Sequence, residues 1–317
     1  MPEDYPIVFS ICIPVFKRVE YLKRLFDSIS VQNFRLFEVI VTDDSPDASI
    51  HKLCIEFDKK FPIRYFKNKT TLGTPENWNE CIRLAKGEWV KIMHDDDWFS
   101  SENSLKDYAK AIKDNPNAGF FFSAFTNYFF ENLTTKKIWG NKFRLFCLFR
   151  APSTLLSSNV IGPPSVTIYR RDHQIFYDNK LKWLVDIDFY IRILSISKCI
   201  YLNKILICVG LGREQVTQDC FRKRPVEIPE NFYLLNKMGV KELRNLLVFD
   251  AWWRLMRNLE IKEPSDIRES GYHGPIHRSI LAIIIRQQII PKYFLKAGIT
   301  SKFLMFLLFL KERKSIK

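Results

Sequence analysis

This chain of 317 residues has seven cysteines but no C-x-x-C pair. Cysteines 12, 54, 81, 147, 199, 208 and 220 are scattered, and Cys12, Cys81 and Cys208 lie inside apolar segments, where the thiol acts as a small hydrophobe. That argues against a disulfide framework and for reduced thiols, as in a cytosol. Glycine is scarce, at 11 residues, and none falls in IPVFKR (13–18), which follows the first apolar run. Without G-x-G-x-x-G a dinucleotide oxidoreductase is excluded. A nucleotidyltransferase, which would need a glycine-rich, basic phosphate loop there, ranks low. Long apolar runs are missing too. The longest, Phe303–Leu310, has eight residues, against about 20 for a spanning helix, so none is expected. MPEDYPIVFS is acidic and lacks a basic n-region with an apolar core, so no signal peptide is expected. Acid is also in deficit, with 35 Asp and Glu against 49 Lys and Arg, a net charge of +14. Chains with this balance meet nucleic acid, anionic membrane surfaces or phosphorylated ligands.

What is present is a chain with 47% hydrophobic residues, enough for a full core. FSICIPV (9–15) reads as a buried strand, and Leu22, Leu25, Phe26 and Ile29 then fall on one helical face. FEVIVT (37–42) is a second strand, followed by a helix carrying Ile50, Leu53, Cys54, Phe57 and Phe61. A short strand over 63–66, a helix over 76–85, a strand at WVKIM (89–93) and a helix ending before Pro116 complete the series. Four strand–helix alternations predict a parallel sheet covered on both faces, with ligands at the carboxyl ends of its strands. Residues 119–149 are rich in aromatics and read as strands and connecting loops. Beyond about 225 the pattern turns helical.

Those strand ends carry the chemistry. One holds Pro14 to Arg18, another Asp43-Asp44-Ser45-Pro46, and a third HDDDW (94–98). Two like charges about 4 Å apart repel by roughly 4 kcal/mol at an effective dielectric near 20. Asp95, Asp96 and Asp97 in a row therefore mark either a solvated acidic turn or a seat for a cation. Mg²⁺ or Mn²⁺ held by carboxylates at such a strand end usually bridges to substrate phosphates, and the place after an apolar strand favours that reading. Asp43-Asp44-Ser45-Pro46 suits an ordinary turn or a carboxylate accepting from a nucleotide base or ribose. Gly73 permits unusual backbone, and Asn77 and Asn79 are either polar caps or groups that orient a sugar or diphosphate. Asp186, in WLVDIDFYIRIL (183–194), is either a helix cap or a general base.

Taken together, SICIPVFKR (10–18), FEVIVTDDS (37–45), LGTPENWNECIRLAKGEWVKIMHDDDW (72–98), GPPSVTIYRRD (162–172) and WLVDIDFYIRI (183–193) resemble a family 2 glycosyltransferase of bacterial surface-polysaccharide type, in the family's order over about residues 7–215. The resemblance implies an α/β GT-A fold: a Rossmann-like nucleotide-binding sheet over about 1–100, an acceptor-binding half over about 101–224, and a C-terminal helical segment over 225–317. It implies that Pro14, Val15 and Phe16 line the base pocket. Asp44 would contact the base or ribose with Asp43 in support, and Arg18, Gly73, Asn79 and Asp95 would complete the nucleotide site. Aligned back from Trp98, Asp96 falls on the usual metal ligand, for Mn²⁺ or Mg²⁺, with Asp97 beside it. His94 stands where the family often has its first Asp. Asp186 falls on the catalytic base, and Arg213 is left as a possible diphosphate contact in VGLGREQVT (209–217). The implied reaction is inverting transfer of a sugar from a nucleoside-diphosphate donor, UDP by family habit, to a hydroxyl of a glycan or lipid-linked saccharide. The alternative is a non-catalytic membrane-surface scaffold that kept the fold.

Residues 273–317 carry nine Lys or Arg and one acid, Glu312, so they hold +8 of the net +14. Apolar blocks between single cations suit a packed core helix, nucleic acid or an anionic membrane surface. No nucleic-acid motif accompanies them. The membrane surface is preferred, and with the resemblance it implies a cytoplasmic protein, peripheral on the inner face of the cell membrane.

Overall fold

A computed structural model describes residues 8–212 and 220–316. They form two compact units: 8–149, 160–179 and 188–212 in the first, and 150–159, 180–187 and 220–316 in the second.

The first unit is built on a nine-stranded sheet. Strand β1 (Phe9–Val15) is flanked by β2 (Phe37–Asp43) and β4 (Trp89–Ile92), and β3 (Ile63–Lys67) lies outside β2, all parallel. Every residue of β1, β2 and β4 is buried. Their continuous apolar runs mark strands covered on both faces rather than on one. Helix α1 (Val19–Ser30) buries Leu22, Leu25, Phe26 and Ile29, the i, i+3, i+4, i+7 stripe read from the sequence. Each such side chain contributes roughly 1.5–3 kcal/mol on burial. Helices α2 (Ser49–Phe57) and α3 (Glu76–Leu84) close the other crossovers. Val15 pairs with Asp43, and the Met93 amide donates to the Cys12 carbonyl at 2.9 Å, so the strand ends of β1, β2 and β4 share one edge.

Past β4 the sheet departs from the all-parallel expectation. Strand β8 (Thr167–Arg170) runs antiparallel to both β4 and β6 (Ala118–Phe129), and the two-residue β5 (Trp98–Phe99) follows the acidic turn. Strand β9 (Lys198–Leu211) is parallel to β6 and antiparallel to β5. The hairpin partner β7 (Thr134–Ile138) is antiparallel to β6. KFRLFCLF, expected as strand and loop, lies in helix α5 (Lys142–Arg150). Its apolar spacing is three, with Leu145 and Leu148 buried, so a helix puts both on one face where a strand would split them. Helix α4 (Ser104–Asp114) precedes β6.

The second unit is helical. Helices α7 (Arg224–Met238), α8 (Leu246–Asn258), α9 (Pro264–Glu269), α10 (Arg278–Gln288), α11 (Lys292–Lys296) and α12 (Gly298–Glu312) surround Phe232, Phe249, Trp252, Trp253, Ile283 and Phe309. The Trp253 indole donates to the Ser301 hydroxyl at 3.0 Å, which satisfies its buried N–H. Helix α6 (Val185–Ile196) begins among the residues of this unit and continues into the first.

Candidate active site

The turn after β1 brings a cation to the acidic strand end. Lys17 has φ +69°, a left-handed backbone that costs a non-glycine residue about 1–3 kcal/mol. Its amide donates to the Ser45 hydroxyl at 2.7 Å, which holds the turn against β2. Arg18 then reaches Asp95 through both Nε, at 3.1 Å, and Nη2, and reaches Asp96 Oδ2 through Nη1 at 3.1 Å. One guanidinium thus answers two of the three carboxylates. Burial still pushes the Asp95 carboxyl up to about 7, with Arg18 opposing and Asp96 adding to the rise.

The other acids face a different set of partners. Asp97 Oδ1 accepts from the Gly210 amide at 3.0 Å, and burial pushes its carboxyl well above the usual range. Gly210 has to be glycine, because a Cβ there would meet the Asp96 carbonyl oxygen and the Phe130 ring. The Ser165 hydroxyl hydrogen-bonds to Asp97 and accepts from the His94 amide at 3.0 Å. Behind them Lys91, fully buried, donates to the Ser165 carbonyl oxygen. Burial pulls the Lys91 ammonium down to about 7 against the field of Asp97. The His94 ring lies against Trp78, 4.7 Å between centroids. Burial pulls its pKa to about 4, so the imidazole is neutral at pH 7 and free to ligate.

His94, Asp96 and Asp97 can each present a ligand atom within 4.8 Å of the others. His94 Nε2 and Asp97 Oδ2 are buried and make no hydrogen bond among the described residues. Such atoms cost free energy unless something fills the gap, and nitrogen and carboxylate donors at this spacing fit a divalent cation. His94, the residue that departs from the expected carboxylate, therefore lies inside the cluster.

The β2 edge organises the neighbouring loop. Asp43 accepts from the Ser45 amide at 2.7 Å, from the Tyr65 hydroxyl at 2.7 Å and from Lys67 at 3.1 Å. Asp44 accepts from Asn68 Nδ2 and from the amides of Leu72 and Gly73, at 2.8, 3.0 and 2.8 Å. Gly73, at φ +70°, turns its N–H toward that carboxylate with a backbone L side chains rarely adopt. Pro14 and Val15 are buried at the end of β1, and Phe16 beyond them is 47% exposed. Asn79 is committed elsewhere: it accepts from the Tyr177 amide at 2.8 Å and donates to the Tyr177 carbonyl at 3.0 Å. Arg213 lies outside the described residues.

Asp186 sits in the first turn of α6, within the second unit, and is half-buried. Its carboxylate accepts from the Ile187 amide at 2.8 Å and from Asn159 Nδ2 at 2.9 Å. Burial outweighs both and pushes the group up to about 6, where a carboxylate can take a proton and release it near neutral pH. The turn is secured by a residue that sequence reasoning did not single out. Glu230 of α7, buried, accepts from the amides of Lys182, Trp183 and Leu184 at 2.8–3.1 Å. These are N–H groups that precede a helix and lack intrahelical partners. No local pattern announces this, because the carboxylate arrives from 46–48 residues away. Ser165 and Lys91 were missed for the same reason, although GPPSV and WVKIM were both noted.

The model of the family described as "Glycosyl transferase family 2" matches residues 10–176. A Haemophilus influenzae protein described as an uncharacterized glycosyltransferase is 32% identical over 115 residues, 36% of this chain and 38% of that protein. The poly(ribitol-phosphate) β-N-acetylglucosaminyltransferase TarS of Staphylococcus aureus is 26% identical over 253 residues, 75% of this chain and 40% of TarS. The chain therefore spans well under two thirds of these relatives' length. The crystal structure of TarS residues 1–349 in complex with UDP superposes with a TM-score of 0.61 at 16% identity, covering 97% of this chain and 92% of that one. That likeness carries the fold, and the GT-A architecture expected from the sequence stands.

Proposed function

From the premise that this chain belongs to glycosyl transferase family 2, shown by a match over more than half its length, we propose that it is an inverting glycosyltransferase. It moves a sugar from a nucleoside-diphosphate donor, with UDP as carrier, to a hydroxyl of a glycan or lipid-linked saccharide in cell-surface polysaccharide synthesis. The observation that carries this is the cluster of His94, Asp96 and Asp97 at the end of β4, with two buried donor atoms unsatisfied. The names of the relatives, among them a transferase acting on poly(ribitol phosphate), support the substrate class.

Pro14, Val15 and Phe16 line the base pocket in this reading, and Asp43 and Asp44 with the Gly73 turn shape its polar side. Arg18 holds Asp95 and Asp96 in place and adds positive charge beside the diphosphate. Arg213 is a further diphosphate contact, and Asn79 braces α3. Asp96, with Asp97 and His94, would hold Mn²⁺ or Mg²⁺, which when bound stabilises charge growing on the leaving diphosphate. Asp186 takes the proton of the acceptor hydroxyl. That oxygen forms the new bond to the anomeric carbon from the face opposite the diphosphate, the bond to the diphosphate breaks, and the configuration inverts. Holding both substrates in line is worth on the order of 7–11 kcal/mol in well-oriented cases.

The chain works in this reading as a peripheral protein on the inner face of the cell membrane. The support is a band of exposed apolar residues on α11 and α12, Tyr293, Phe294, Ile299 and Phe303, interleaved with Lys292, Lys296 and Lys302. Among the described residues no helix is long and apolar enough to cross a membrane. A screen of nucleotide sugars for Mn²⁺-dependent turnover tests the proposal. A UDP-sugar consumed only with the cation present is the expected result. No turnover with any donor, with binding intact, would instead favour the scaffold reading.

A further inference from the structure

A second apolar surface, outside the C-terminal helices and outside the acidic site, lies on β7 and α5 of the first unit. Helix α5 is apolar on two sides. Leu145 and Leu148 point inward, and the adjoining Gly140 amide donates to the Tyr201 hydroxyl at 2.7 Å, which ties the segment to β9. Phe143, Phe146 and Phe149 are 64%, 54% and 50% exposed, and Trp139 just before them is 50% exposed. The three phenylalanines stand at i, i+3 and i+6, so they form one continuous outward stripe. Three exposed aromatics on a nine-residue helix exceed the scattered apolar residues of an ordinary surface and mark an interaction site.

The charge around the stripe names its occupant. No acid occurs between Glu131 and Asp172, whereas Lys136, Lys137, Lys142, Arg144 and Arg150 surround the aromatics. An isologous contact with a second copy would bring Lys142 and Arg144 against like charges. An anionic bilayer instead offers phosphates to the cations and acyl chains to the rings, the arrangement of an interfacial helix. We propose that the β7–α5 face of the first unit docks on an anionic lipid surface, independently of the C-terminal helices. The unit that binds the donor then meets the bilayer itself, where a lipid-linked acceptor resides. That last consequence rests on the transferase reading, and the docking does not.

The test uses the full chain and phosphatidylcholine vesicles with or without phosphatidylglycerol. Co-sedimentation is measured for the wild type, for Phe143→Ser with Phe149→Ser, and for Lys142→Glu. Hydrogen exchange over 139–150 is followed on and off the vesicles. The expected result is wild-type binding that needs phosphatidylglycerol, a loss of roughly tenfold in the double serine variant, a smaller loss in Lys142→Glu, and slowed exchange over 139–150 on vesicles. Equal partition of all three proteins, equal binding to phosphatidylcholine alone, or unchanged exchange over 139–150 would overturn the proposal. So would light scattering that finds a wild-type dimer and a monomeric serine variant, or a soluble glycan that alone slows exchange there. Donor hydrolysis without vesicles stays at the wild-type level in these variants, so failure of the docking is distinguishable from failure of the transferase reading.

Discussion

The acidic end of β4 and the Asp186 turn are two carboxylate sites stabilised by opposite means. At β4 the acids are neighbours in sequence, and one cation, Arg18, answers two of them. Asp186 stands near the start of a helix whose preceding amides are gathered by a distant carboxylate, Glu230. The first site is rich in charge and leaves donor atoms unsatisfied, which suits a ligand that brings its own charge. The second is closed on itself apart from one titratable oxygen pair, which suits proton transfer. Dense local acid marks a binding site, and a single acid on a braced turn marks a base.

The largest effect that would break this comparison is at Asp186. Asp186→Asn is expected to lower transfer about 10³-fold while donor binding stays within a factor of about two, read by steady-state transfer and calorimetry. Burial already disfavours the ionised form, with a folded pKa near 6 against 3.8 for the free side chain. The neutral amide should therefore raise the melting temperature above pH 7 and not at pH 5.

Glu230→Gln comes next. One of the two oxygens is replaced by an NH₂ facing backbone N–H groups, so at least one amide is left unpaired. Turnover is expected to fall about tenfold and stability by about 1–3 kcal/mol, with KM for the donor unchanged. Recovery of turnover in Glu230→Asp would identify acceptance of the amides, rather than packing, as the cause.

The pH dependence is a smaller effect. The base acts when ionised, so turnover holds above pH 7 and falls with unit slope below about 6 as Asp186 is protonated. A kcat profile flat down to pH 5 would remove Asp186 from the proton transfer. The smallest expected effect is at His94. Imidazole favours Mn²⁺ over Mg²⁺ relative to carboxylate, so His94→Asp should narrow the Mn²⁺ preference by about three- to tenfold, read by metal titration of donor binding.

The same contrast explains what was legible in the sequence. The first half of the sheet could be read because each strand is a continuous apolar run and each crossover helix carries a complete stripe, as in FSICIPV and Leu22 to Ile29. The acidic end could be read because its residues are consecutive. Helix α5 was misread because its exposed phenylalanines make an apolar run that hides the spacing of Leu145 and Leu148. The end of β9 was read as loop because Gly210 is ordinarily a breaker, whereas here it keeps a strand clear of the Asp96 carbonyl. Glu230, Ser165 and Lys91 act through contacts 46 to 74 residues apart, which no local period encodes.

The most direct test of the central claim is calorimetric titration of UDP into the full chain with Mn²⁺, with EDTA, and in Asp96→Asn with Mn²⁺. The account predicts binding with Mn²⁺ that weakens at least about 100-fold with EDTA and in the variant. Equal affinity under all three conditions would contradict a donor site built on the acidic end of β4.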